Sequence, residues 1–492
     1  TRSNTIILDP DFKATYENRY INYEASMSRY TAIEEAGELL VICYDNFMSA
    51  MEPFVAWKKQ IGRPTTMVGT STAGSSNSAI KSYITSYYNQ HPNLTDVLLV
   101  GDVAQIPGAS AGGGSYSGKG DNPYGQVAGS DRYNDVIIGR CCCETAAQVT
   151  NHVNKVINYE RDLNASATWL PVGQGISTTA GNGGHYNEDD YVHVDNLRTD
   201  LLNYNYTNVY RDYQSVSGTT ATSASVVSQH INSGVSIINY CNHGSETSWG
   251  VANYSNSHVN ALTNDYMWPI NWSVACLTGK FNYGGANGEC FAEAWMRASN
   301  NSTGVPTGAI GGMFSWMNQP WIPPMYGQDE MVNILTEWHN NDKYNHTLGG
   351  ASVNGNLYVI DMSGSQGYDT HDTWILFGDP TVMVRTDNPV PMNVTCSPSA
   401  LMLGMTEMEV DAENTAFGIA TLMMDGEVIS SSYILDGTCT LHFAPLNNVG
   451  TATLTVMGYN KVTEILPLEV LPAEGPYITL TNSVPNFVPV NV

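Results

Sequence analysis

The sequence predicts an α/β protein, a mainly parallel sheet flanked by helices and followed by a small β-sandwich. Two observations carry that expectation. Through residues 38–385, short apolar runs alternate with amphipathic stretches and each run ends in turn residues, the pattern of helices layered on a parallel sheet. After Thr386 helical periodicity stops, and Asn388, Pro389 and Pro391 punctuate the chain. A length of 492 residues agrees, since at roughly 150 residues per domain it suits about three domains and a sizeable core.

In chain order, the apolar runs place strands at 39–43, 65–68, 96–100, 136–139, 235–240, 272–275 and 308–313. Between and after them, apolar residues at helical spacing place helices at 46–61, 78–89, 146–161, 192–204, 224–233, 292–298 and 325–338. Strands separated by helices imply parallel pairing. From 392 to 471 the chain reads as short strands with turns at Asp425-Gly426, Asp436-Gly437 and 447–450, the texture of a sandwich. The tail, 472–492, reads as a linker toward a further module.

Composition bounds the partners. Only 13% of residues are charged, against about 25% in a typical protein, and the net charge is -26. So acidic a surface repels phosphate, which disfavours nucleic acid and anionic membrane. With 42% hydrophobic residues, 10 Trp and 29 Tyr, the chain is too apolar to be a disordered acidic protein. No apolar run reaches the 18 or so residues of a membrane span. Nine Cys, an odd number that includes the adjacent Cys141, Cys142 and Cys143, leave at least one thiol outside any disulfide within the chain. Low Lys with abundant Asn, Ser, Thr, Gly and Tyr is the composition of an exported protein.

Two segments carry chemistry. The run Ser236-Ile-Ile-Asn-Tyr-Cys-Asn-His243-Gly244 ends an apolar strand in a His followed by Gly, and Asn271-Trp-Ser-Val-Ala-Cys276 ends another in a Cys. Ligands of a parallel sheet bind beyond the carboxyl ends of its strands, so His243 and Cys276 are candidates to face one another there. An imidazole beside a thiol makes a nucleophile. The N–H groups of Gly244 and Cys276 are placed to hold an oxyanion. Separately, each residue has a plainer reading, as a buried small residue or a satisfied polar group. A catalytic zinc is disfavoured, because the chain has no HExxH and no His pair at ligand spacing.

A set of motifs narrows the reading. His243-Gly-Ser-Glu-Thr-Ser-Trp-Gly250, Val274-Ala-Cys276, Cys290-Phe-Ala-Glu-Ala294, Asn318-Gln-Pro-Trp321, Gly327-Gln-Asp-Glu-Met331 and Asp372-Thr-Trp-Ile-Leu-Phe-Gly-Asp-Pro380 together resemble the gingipain family of cysteine proteases, the arginine-specific branch above all. The resemblance runs from near Tyr30 to about residue 470. It implies a caspase-like fold in two subdomains, 30–165 and 166–387, then an immunoglobulin-like β-sandwich over 388–471. It implies Cys276 as nucleophile and His243 as general acid/base. For substrate it implies an acidic residue pairing with an arginine at P1, which falls at Asp190 or, with a one-residue shift, at Asp189. Trp321 matches the aromatic flanking the arginine and Met325 lines the same pocket. A carboxylate beneath an aromatic wall suits a planar cation.

The same resemblance implies that residues 1–29 are the end of a propeptide, with self-processing between Arg29 and Tyr30, and that the enzyme is secreted or held at the cell surface. It also implies structural calcium, for which Asp131, Asp135, Glu293 and the carbonyl of Phe281 are suitable oxygen donors. There are departures from the family pattern. Asn242 stands where the family has Gly, and the Glu often assigned as third partner of the His falls at Ala180. The expected partners are peptide substrates with Arg at P1 and the chain's own propeptide. A lysine-specific protease, a catalytically impaired adhesin and a sortase-like transpeptidase are the alternatives.

Overall fold

A computed structural model describes residues 30–112, 118–181, 183–219, 222–284, 288–339 and 346–473. The chain divides into two units between Pro389 and Val390, next to the expected boundary at 388, except that Trp57–Gly62 groups with the second unit. The propeptide segment 1–29, with Arg29, and nearly all of the tail 472–492 lie outside the described residues.

The first unit is built on one ten-stranded sheet. Its strands in chain order are β1 (Glu38–Cys43), β2 (Thr65–Gly69), β3 (Leu94–Val100), β4 (Ile137–Cys141), β5 (Val172–Thr178), β6 (Asn208–Gln214), β7 (Ile237–Cys241), β8 (Ile270–Val274), β9 (Gly311–Ser315) and β10 (Trp374–Gly378). Their order across the sheet is β2-β1-β3-β4-β10-β9-β8-β7-β5-β6. Every neighbouring pair is parallel except β9 and β10. The sheet is therefore two parallel sets of five strands running in opposite directions and joined at that one antiparallel seam.

Apolar residues fill both faces of the strands, as a sheet covered on both sides by helices requires. The helices include α1 (Met48–Gln60), α2 (Asn77–Gln90), α3 (Ala146–Ile157), α4 (Asp190–Tyr204), α5 (Ala224–Ser233), α6 (Phe291–Arg297), α7 (Ile322–Leu335), α8 (Leu348–Ser363) and α9 (Ser365–Thr373). Side-chain caps start several of them: Ser76 before α2, Thr145 before α3 and Ser223 before α5.

The structure departs from the expected elements in identifiable places. Strands β5, β6 and β10 and helices α8 and α9 were not anticipated. Helix α8 is Gly-rich and buried on almost every face, so it lacks the polar stripe that marks a surface helix. Helix α7 starts three residues before the expected 325, because Pro323 and Pro324 occupy its first turn, where a missing N–H costs nothing. The split at 165/166 is not the split of the sheet. Strand β10, from the end of the 166–387 stretch, pairs with β4 and completes the first half.

In the second unit, eight strands follow one hydrogen-bonded order and enclose a core that includes Met408, Val410, Leu422, Leu441, Leu454 and Val470. Both predicted Asp-Gly turns carry left-handed residues, Asp425 and Gly426 at φ 54 and 82, Asp436 and Gly437 at φ 50 and 93. Cys396 and Cys439 both lie opposite Val410 on flanking strands and are free thiols, as are the other seven cysteines.

Candidate active site

Four neighbouring parallel strands, β5, β7, β8 and β9, end at the same edge of the sheet, and each sends its following segment into one cleft. The segment after β5 brings Asp190. The two residues after β7 are Asn242 and His243, Cys276 lies two residues beyond β8, and the segment after β9 brings Gln319 and Trp321. Cys241 and Val274 are register partners, so His243 and Cys276 leave the sheet side by side. The cleft is about 280 Å³, and Asp190, Asn242, His243, Cys276, Trp321 and Met325 are among its lining residues.

Gly244 is a glycine for steric reasons. A Cβ on it would lie 2.8 Å from the Cys276 carbonyl oxygen, 2.9 Å from Ala275 Cβ and 3.0 Å from Thr278 Cγ2. The His loop therefore packs directly on the strand end that carries the thiol. Leu277, next to the thiol, is held in the left-handed region at φ 64, a strain of about 1–3 kcal/mol for a non-glycine residue. Its N–H donates to Met317 O at 2.9 Å, which fixes the turn.

Cys276 is half-buried, with Sγ 3.8 Å from the carbonyl oxygen of Gln319, and burial pushes its thiol pKa up. No hydrogen bond joins it to His243, whose exposed ring instead meets Trp321 edge to face at 5.1 Å. The free site thus holds a neutral thiol. Such a pair is activated when substrate draws the imidazole onto the sulfur, since catalytic hydrogen bonds often close only in the complex. Among the described residues the Cys276 N–H has no hydrogen-bond partner, leaving it available to an oxyanion.

Asp190 forms the floor and is fully buried. Its Oδ2 accepts from Asn242 Nδ2 at 2.8 Å and its Oδ1 from Trp321 Nε1 at 3.0 Å. Burial raises its pKa to about 7 despite these two donors. Asp189, the other candidate, precedes α4 as its N-cap and does not line the cleft. Asn242 is thus more than a departure from a glycine, because it supplies a donor to the pocket carboxylate. Gly181, at φ +76, leaves room for the same contact: a Cβ there would stand 2.2 Å from Trp321 Cζ2 and 2.3 Å from Asp190 Oδ1.

Gln319, within the Asn318-Gln-Pro-Trp321 motif, braces the cleft although its sequence context marks no such role. Its Oε1 accepts from Ala275 N at 2.9 Å, tying the Trp321 segment to the strand end that carries Cys276. Among the described residues no carboxylate pairs with His243 in place of the missing third partner. Ala180 contributes only its carbonyl, to Asp190 N at 3.4 Å.

The four residues expected to bind calcium are placed differently. Asp131 Oδ1 accepts from Tyr133 N, and Asp135 Oδ2 from Val127 N and Ala128 N. Glu293 instead clusters with Asp102 and Cys142, and Arg297 Nη2 lies 3.0 Å from both carboxylates. Phe281 lies under the Arg140 guanidinium. A thiol and a guanidinium around Glu293 do not fit a hard cation that needs six or more oxygens. Tyr30, the expected first residue after processing, is buried, and its hydroxyl donates to Glu330 Oε1 at 2.6 Å.

Comparison with known proteins agrees with this geometry. The sequence profile of peptidase family C25 matches residues 32–385. The chain belongs to peptidase family C25. Among curated C25 relatives, it is 36% identical over 479 residues to Gingipain R1 of Porphyromonas gingivalis, covering 96% of this chain and 46% of that protein. It is 36% identical over 468 residues to Gingipain R2 of the same organism, covering 93% and 61%. The chain thus spans about half the length of these relatives. Among solved structures, this C25 chain superimposes on the Arg-specific cysteine proteinase gingipain R with a TM-score of 0.83 at 34% identity, covering 90% of this chain and all of that one. A complex of the pro- and mature domains of a P. gingivalis gingipain matches with a TM-score of 0.81 at 35% identity, covering 88% of this chain and all of that one. The gingipain resemblance and the α/β architecture read from the sequence are both borne out. Among the described residues no helix is long and apolar enough to cross a membrane.

Proposed function

We propose that this chain is an exported cysteine endopeptidase that cleaves after arginine. The observation that carries the reading is a buried carboxylate, Asp190, held under the Trp321 indole at the base of the cleft that Cys276 and His243 line. A P1 guanidinium entering that cleft meets both a carboxylate with free lone pairs and an aromatic face. As the scissile carbonyl settles over Cys276, His243 takes the thiol proton and Sγ attacks the carbonyl carbon. The oxyanion is held by the Cys276 and Gly244 N–H groups. His243 then gives the proton to the leaving amine, and water, deprotonated by the same imidazole, releases the acid and restores the thiol. No step needs a metal.

Self-processing between Arg29 and Tyr30 belongs to the same proposal, and is checked by amino-terminal sequencing of wild type and Cys276→Ala. The principal test is hydrolysis of matched fluorogenic peptides ending in Arg or Lys. Arg cleavage that vanishes in Cys276→Ala supports the reading. Preferred Lys cleavage would reassign the pocket, and no cleavage by a folded, processed chain would overturn the peptidase reading in favour of binding or transpeptidation.

A further inference from the structure

Beside the pocket, a second group of side chains is arranged for chemistry that peptide cleavage does not use. His185 precedes Asp190 by five residues, His193 lies on the first turns of α4, and Asp329 lies on α7, one turn beyond Met325. One ligating atom from each lies within 4.8 Å of the others. His185 Nε2 is 2.6 Å from Asp329 Oδ2, and His193 Nδ1 is 3.5 Å from Asp329 Oδ1. Both imidazoles are 1% exposed, yet among the described residues neither nitrogen of His185, nor His193 Nδ1, makes a hydrogen bond.

The hydrogen bonds around His193 fix its tautomer. Gln328 Nε2 donates to Asn239 Oδ1 and to Trp272 O, both at 3.1 Å, so its Oε1 must accept from His193 Nε2, 3.1 Å away. Nδ1 of the neutral ring is then a bare lone pair aimed at a carboxylate. Two acceptors that face each other call for a donor or a cation between them, and a cation also serves the unpaired nitrogens of His185. No Lys or Arg pairs with Asp329 or Glu188 among the described residues, whereas Arg297 fills that place in the Asp102, Cys142 and Glu293 cluster.

We propose that His185, His193 and Asp329 form a binding site for a divalent transition metal of the zinc class. Two imidazoles and one carboxylate are borderline donors that suit zinc rather than calcium. Glu188 Oε1, itself without a hydrogen-bond partner, stands 3.0 Å from the other nitrogen of His185, the place of a carboxylate that orients a metal-bound imidazole. Asp329 is 25% exposed, which leaves a way in and an open coordination position for water. The ion ties the segment leading into Asp190 to the helix that begins after Trp321 and carries Met325. Its effect on substrate rests on the pocket reading above; its binding does not.

The test is equilibrium dialysis of Zn²⁺ and Co²⁺ against the full chain carrying Cys276→Ser, so that the half-buried thiol of the cleft takes no metal. One Zn²⁺ per chain is expected, with Co²⁺ giving visible bands that lack sulfur charge transfer. His185→Ala and the nearly isosteric Asp329→Asn should each weaken binding by at least a hundredfold, and Glu188→Gln by about tenfold. Zn²⁺ should raise the melting temperature of the parent and not of His185→Ala. If the parent binds no Zn²⁺ up to millimolar concentration, or if both ligand variants bind it as tightly as the parent, the site is refuted. In a chain that retains Cys276, metal removal should raise KM for Arg peptides more than it lowers kcat. A chain that binds Zn²⁺ at these residues but cleaves no Arg peptide would refute the peptidase reading and leave the metal site standing.

Discussion

Asp190 offers the most direct test of the pocket, because its charge is set by burial. With its pKa raised to about 7, roughly a tenth of the carboxylate is ionised at pH 6 and about nine tenths at pH 8. Only the ionised form pairs with a guanidinium. The dissociation constant of a small guanidinium ligand such as benzylguanidine should therefore fall about tenfold from pH 6 to pH 8, and about a hundredfold from pH 5 to pH 8. The measurement is calorimetry on a chain carrying both Cys276→Ala and His243→Ala, so that neither the thiol nor the imidazole contributes a proton. Adding Asp190→Asn removes a buried charged partner, a loss of about 3 kcal/mol or roughly 150-fold at pH 8, and should flatten the profile. A pH-independent affinity in the parent, or undiminished binding by Asp190→Asn, would refute the assignment of Asp190 as the cation's partner.

Three further outcomes follow from single contacts. Asn242→Ala deletes one of the two donors to Asp190, so the carboxyl pKa should rise further and guanidinium affinity at pH 7 should fall about tenfold; calorimetry reads it. Gly244→Ala forces a methyl against the Cys276 carbonyl and should destabilise the chain by about 1–3 kcal/mol in urea unfolding while lowering kcat/KM for Arg peptides by more than tenfold. Glu35 is buried with its pKa raised to about 8, and its Oε2 accepts from Thr347 N. A carboxyl raised in the fold stabilises fully below its unfolded value, and that stability is lost as pH rises through about 8. Glu35→Gln should therefore narrow the fall in melting temperature between pH 5 and pH 9, and an unchanged fall would count against this account.

Sequence alone was enough to determine what depends on neighbouring residues. The turns at Asp425-Gly426 and Asp436-Gly437 are legible because Asp and Gly accept left-handed backbone. Helix α5 is legible from its apolar spacing and its Ser223 cap. The motif order carried the family, and the ends of two apolar runs placed His243 and Cys276 at one edge of the sheet. What escaped was set by partners far along the chain. Strand β10 finds β4 more than two hundred residues back, and no local pattern encodes that choice. Helix α8 is buried on almost every face, its polar Ser352, Asn354 and Asn356 included, so it has no helical stripe to read. The role of Asn242 depends on a carboxylate 52 positions away. His185, His193 and Asp329 show no ligand spacing at all, since only the packing of α4 against α7 brings them together. Local dihedral preference and periodicity are written residue by residue, whereas which strand ends share an edge is settled by the free energy of the whole packed sheet.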